Sequence, residues 1–153
     1  MRKLLLTILA LMMMSASCFA ASWEWVGANP YMGLSYDKDS LVFEVSSKQN
    51  IVNRDMVKGW VKFVYDEAYA QKEMPRKDTK YVVCKFSADL VGNRILNDDY
   101  IVYNKDGKIL EQGKQKKGWE HVAPDTLGEF MFNSLKKHVR AHTEEIEQRT
   151  RGN

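Results

Sequence analysis

The apolar and polar positions divide the chain into three stretches. Leu4 to Met14 (LLLTILALMMM) is an unbroken apolar run. Beyond it come short segments with strand character: Trp23-Glu24-Trp25-Val26, Gly33-Leu34-Ser35-Tyr36, Leu41-Val42-Phe43-Glu44-Val45 and Val57 to Tyr65. In the last of these Val57, Val61, Phe63 and Tyr65 share one parity and Lys58 and Lys62 the other, the pattern of a strand with one buried face. Tyr81 to Ala88, Arg94 to Asn104 and Lys108 to Glu111 continue the series, and Asp106-Gly107 between the last two signals a hairpin. Gly118 to Val122 predicts a final short strand. Asn29-Pro30 and Asp37-Lys38-Asp39-Ser40 supply breaks. The polar connection Asp66 to Lys80 reads either as a short helix around Ala68-Tyr69-Ala70 or as a mobile loop.

After Thr126 the period becomes helical. Leu127, Phe130, Met131, Leu135, Val139 and Ile146 form a stripe that must bury itself against a sheet. Thr126 with Glu129 three residues on makes a capping box. The stripe thins after Val139 into a polar helical extension, whose tail from Gln148 to Asn153 is expected to fray. Strands in a run followed by one helix specify an α+β fold: an antiparallel β-sheet of about six strands with a C-terminal α-helix packed on one face.

The first stretch has another meaning. Arg2 and Lys3 precede an apolar run shorter than the roughly 20 residues that span a bilayer, and small residues at Cys18 and Ala20 offer cleavage before Ala21. Residues 1–20 therefore read as a signal peptide, and 21–153 as a single domain. The chain is expected to be exported, to the periplasm or the cell surface. A lipid anchor on Cys18 is the less favoured reading, because such sites want an aliphatic residue where Ser15 stands. Removing Arg2 and Lys3 from 23 basic residues leaves 21 against 20 acids, a net charge of +1, which argues against nucleic acid as partner. It also leaves Cys84 as the one thiol, on a strand where it shares a face with Val82 and Phe86 and reads as a buried small hydrophobe.

Candidate chemistry is sparse. His138 and His142 stand at i, i+4 on the predicted helix with Glu145 a turn further on, the way a helix presents two metal ligands, but a zinc site needs a third donor that the sequence does not name. The histidines read as the edge of the packed stripe. Asp98-Asp99 lies on a strand whose neighbours point to opposite faces, so the pair reads as a solvated edge or bulge rather than a calcium site. No Gly-x-Ser-x-Gly or phosphate-cradling loop is present, and His121 beside Trp119 reads as a packing residue. The expectation is a non-enzymatic protein without cofactor. Lys114, Lys116 and Lys117, with Arg76-Lys77, are weak candidates for contact with an anionic partner.

An ordered series of motifs adds to this. Trp25-Val26, Ser35-Tyr36-Asp37-Lys38-Asp39-Ser40, Val57-Lys58-Gly59-Trp60-Val61-Lys62, Tyr103-Asn104-Lys105-Asp106-Gly107-Lys108-Ile109 and Trp119-Glu120-His121-Val122-Ala123-Pro124-Asp125-Thr126 together resemble the bacterial surface-adhesin protein E family, from about Trp25 to Leu135. The resemblance implies an antiparallel sheet with a C-terminal helix across it, structural roles for Trp60, Trp119, Thr126, Glu129 and Cys84, and binding of host extracellular-matrix or serum proteins. It also favours a homodimer. Family members typically carry a second cysteine in the helix that ties it to the strand cysteine. Phe130-Met131-Phe132-Asn133 has none here, so the helix is expected to hold by packing of Leu127, Phe130, Met131 and Leu135. The alternative expectation is a periplasmic small-ligand or metal-binding protein using the open sheet face or the two histidines.

Overall fold

The computed structural model describes residues 21–46 and 50–152. Residues 1–20, read from the sequence as a signal peptide, and Cys18 within them lie outside the described residues. The fold is α+β, with eight antiparallel strands in one sheet and helices at the C-terminus. The strands are β1 (Trp23–Ala28), β2 (Met32–Asp37), β3 (Val42–Val45), β4 (Val52–Tyr65), β5 (Tyr81–Asp89), β6 (Arg94–Tyr103), β7 (Ile109–Lys114) and β8 (Glu120–His121). The main path runs β1-β2-β4-β5-β6-β7. Strands β2 and β3 share one edge of the long β4, and β7 and β8 share one edge of β6. The last predicted strand is thus reduced to two residues. The connection Asp66 to Lys80 contains a helix, α1 (Glu67–Glu73), whose first turn is capped by the Asp66 carboxylate accepting from Tyr69 N–H.

The alternation read from β4 places Val57 and Val61 in the core, joined by Leu34 and Tyr36 of β2 and by Val82, Cys84, Phe86 and Ala88 of β5. Asp98 and Asp99 sit opposite the register shift between Cys84 and Phe86, so they form the expected bulge. The motif Asp37-Lys38-Asp39-Ser40 has a specific task. The pairing of β2 with β4 ends at Tyr36 opposite Val61 and that of β3 begins at Val42 opposite Lys58, so Trp60 N–H falls in the gap. Ser40 Oγ accepts from it at 3.0 Å while donating to Asp37 O at 2.8 Å. The Asp37 carboxylate accepts from Ser22 N–H and Asp39 N–H. Ser40→Ala strands the Trp60 amide and is expected to cost about 1.5 kcal/mol in urea unfolding, whereas Ser46→Ala, away from this turn, leaves it in place.

Two helices follow, α2 (Leu127–Ala141) and α3 (Thr143–Gly152). The capping box forms at the start of α2, with a shift: Thr126 Oγ accepts from Glu129 N–H, and the Glu129 carboxylate accepts from Asp125 N–H rather than from Thr126. The single predicted helix breaks at His142. There Thr143 Oγ donates to Val139 O at 2.7 Å, a back-bond that bends helices. Phe130, expected in the packed stripe, is 60% exposed. It stands on the far side of α2 from the line Met131–Leu135–Val139, and the neighbouring Phe132 is buried in its stead. Up to Gly152 the tail does not fray either. Helix α3 packs on β3 and β4, with Ile146 fully buried. Arg149 donates to Lys38 O and Leu41 O, and Thr150 Oγ accepts from Phe43 N–H. An amide on the outer edge of β3 is thereby paired with a helix.

Cys84 is the one cysteine among the described residues, and it is buried and unpaired. Burial pushes its thiol up to about 11 and the Tyr65 phenol up to about 12. In the unfolded chain these groups ionise at their ordinary 9.0 and 10.0, while the folded chain keeps both protons. Their stabilisation is therefore complete below pH 9 and is lost as pH rises through 11 and 12. Urea midpoints should fall across that window, with the first part of the fall flattened in Cys84→Ala. A thiol-reactive chromophore at pH 8 should report Cys84 only as fast as the chain opens.

Candidate binding surface on the open face of the sheet

Helix α2 packs against β1 and β2, with Tyr36 Oη 3.3 Å from Ser134 Oγ. The opposite face carries no helix among the described residues. Strand alternation decides what stands there. The cross-strand rows on that face run Trp25–Ser35–Lys62–Val83–Ile101–Gln112 and Gly33–Val64–Tyr81–Tyr103–Ile109, with Trp23 opposite Asp37 and Trp60 opposite Lys85. An antiparallel sheet with a solvated side normally places polar residues there. Here both parities of β4 and β5 bear large apolar side chains. Trp25 is 60% exposed, its ring laid over Gly33, where a Cβ would collide with Trp25 Cη2 and Cζ3. Tyr81 and Tyr103 stack with centroids 4.6 Å apart. Lys62 Nζ lies 4.3 Å above the Trp23 ring, and burial holds this ammonium below its ordinary range. Scattered apolar residues are normal on a surface, but a contiguous set marks a contact site.

The residues singled out from sequence are dispersed. Lys114 lies 3.7 Å from Asp99 and Lys117 3.4 Å from Glu120, so the lysine loop is largely neutralised, with Lys116 exposed beside them. Arg76 meets Glu111 at 3.4 Å, and Lys77 donates to Lys72 O. Trp119 is 38% exposed with the Arg94 guanidinium 5.4 Å from its ring, and His121 is exposed on β8. Trp60 belongs to the open face rather than to the core. His138 and His142 do come together, stacked at 4.4 Å, with the His138 ring edge-on to Tyr36 at 6.2 Å. Burial, then the neighbouring His142 and Lys38, hold the His138 imidazole below its ordinary range. His142 Nδ1 lies 3.4 Å from Glu145, yet no group of three or more His, Cys, Asp or Glu among the described residues is placed to hold a metal. A cleft of about 790 Å³ lies between α1 and the turn after β6, lined by Glu67, Gln71, Lys77, Asp78, Lys80 and Lys105. Charged side chains of both signs surround it. No helix of the described residues is long and apolar enough to cross a membrane.

The aromatic residues of the open face were legible singly but not as a surface. The signal for them was the double-sided hydrophobicity of Tyr81-Val82-Val83-Cys84, unusual for a half-exposed strand. Fold and surface together define an α+β domain with helices on one face of its sheet and an aromatic, lysine-bearing surface on the other. A scan against family models finds no match for this chain, and searches of the curated proteins and the solved structures find none either.

Proposed function

We propose that this protein is an exported, non-enzymatic binding domain that contacts an extracytoplasmic partner through the open face of its sheet, in the manner of the surface adhesins it resembles. The observation that carries the reading is the face itself: Trp23, Trp25, Trp60, Tyr81 and Tyr103 gathered around Lys62 and Lys85 on rigid strands. Aromatic side chains on a fixed scaffold give large contact area at low entropic cost and are the commonest anchors of binding surfaces. The ordered motif series and the basic, apolar N-terminus support export and adhesion. Solid-phase binding to immobilised matrix and serum glycoproteins is the test. Saturable binding weakened by Trp25→Ala and by Lys85→Glu is expected. Saturable binding to none of them, or binding indifferent to both substitutions, would overturn the reading.

A further inference from the structure

His138 and His142 lie on the helix side of the sheet, and the open face makes no use of them. They stand at i, i+4 where α2 ends, with His142 as its C-cap. Their rings stack with centroids 4.4 Å apart and planes 27° from parallel. Two imidazoles one helical turn apart are how a helix offers two nitrogens to one ion. The surroundings orient both rings. Glu145 Oε2 lies 3.4 Å from His142 Nδ1, while Glu145 Oε1 accepts from Arg149 Nη2 at 2.9 Å. Arg149 is itself held by donating to Lys38 O and Leu41 O. A carboxylate fixed against one ring nitrogen keeps the proton there and leaves the other nitrogen free to bind. The His138 ring is set edge-on to Tyr36, whose hydroxyl meets Ser134 Oγ. Charges around the pair cancel. Lys38 meets Glu24 at 3.2 Å, Arg149 meets Glu145, and Arg140 and Glu144 stand together in the cleft beside His142. Affinity for a cation must therefore come from the two nitrogens.

We propose that His138 and His142 bind a Cu(II) ion through one ring nitrogen each, with Glu145 as the positioning residue of His142 and water in the remaining places. A small tilt of the exposed His142 ring brings the two nitrogens to one ion. Zinc fits less well, because its sites take three or four protein donors in a tetrahedron. No group of three or more His, Cys, Asp or Glu among the described residues is placed to supply them. Cu(II) stands at the top of the divalent series for nitrogen ligands and accepts a tetragonal shell completed by water. The cleft on which His142 opens, about 480 Å³, leaves room for those waters. Calcium and magnesium want oxygen donors and have no claim on two imidazoles.

Titration of the purified full chain with Cu(II) against glycine as competitor, followed by calorimetry and electron paramagnetic resonance, tests this. Binding should saturate at one ion per chain, with hyperfine coupling to two imidazole nitrogens, and zinc should bind more weakly. Glu145→Gln should weaken copper binding roughly tenfold while keeping the two-nitrogen spectrum. His138→Gln or His142→Gln should weaken it further and leave one nitrogen. His142 is exposed, so its variant decides should His138→Gln fail to fold. His121→Gln changes the third histidine of the chain and should leave binding as it was. Absence of saturable copper binding, a spectrum without imidazole nitrogens, or tighter binding of zinc than of copper would each overturn the proposal. So would affinity that survives both His138→Gln and His142→Gln, or that is lost in His121→Gln.

Discussion

Replacing Ile146 by alanine should lower the unfolding free energy by about 3 kcal/mol, read as a lower urea midpoint at an unchanged slope. The side chain is fully buried, and it is the main apolar anchor of α3 on β3 and β4. Little else could replace it: of the ten residues of α3, only Ile146 and Thr150 are buried. The polar half of the attachment is testable beside it. Thr150 Oγ accepts from Phe43 N–H at 2.8 Å and donates to Ile146 O at 2.7 Å. Thr150→Val keeps the shape and removes the acceptor, leaving a buried amide unpaired at a cost of about 2 kcal/mol. The two sites lie on successive turns of one helix, so the double variant should cost less than the sum once α3 has detached. Equal midpoints for wild type and Ile146→Ala would mean that α3 contributes nothing to the fold.

The larger loss belongs to Phe86→Ala, expected at about 4 kcal/mol. Phe86 is fully buried at the middle of β5 and stands opposite Gly59 of β4. A Cβ on Gly59 would lie 3.2 Å from Phe86 Cε1 and 2.8 Å from Leu41 Cδ2, so the ring occupies the space a side chain there would need. Gly59→Ala in the native background should therefore destabilise by overpacking, on the order of 1–2 kcal/mol. In the Phe86→Ala background the contact with the ring is relieved while that with Leu41 Cδ2 remains, so its cost should shrink. Strict additivity of the two changes would refute this packing. A loss of 4 kcal/mol is a large share of the roughly 5–15 kcal/mol that holds a domain together, so the variant should unfold at markedly lower temperature.

What the sequence disclosed follows from which forces are local. Alternation in Val57 to Tyr65 predicted the strand and its buried face because side-chain parity is fixed by backbone geometry. The capping box at Thr126 and Glu129 was visible because its partners are three residues apart. Phe130 misled because a helical stripe has width, and the choice between Phe130 and Phe132 is made by the sheet beneath. The supposed frayed tail misled for a related reason. The partners of Arg149 and Thr150 are Lys38, Leu41 and Phe43, more than a hundred residues earlier in the chain, and nothing near the tail announces them. The lysine loop stood out by composition, yet Lys114 and Lys117 lie beside Asp99 and Glu120 on β6 and β8. The open face was hidden because it belongs to no single segment. Its aromatic rings come from four strands and meet only once the register is set.

The ring of Trp25 lying over Gly33 ties two positions into one inherited unit. Any side chain at position 33 would have to expel the indole, and loss of the indole would leave a bare glycine in a strand that gains nothing else from it. Drift along a lineage is therefore gated: position 25 must first accept a small residue before position 33 can acquire a Cβ. Among descendants of this chain, tryptophan at the first site and glycine at the second should be kept or lost together, and a library randomised at both should recover them as a correlated pair.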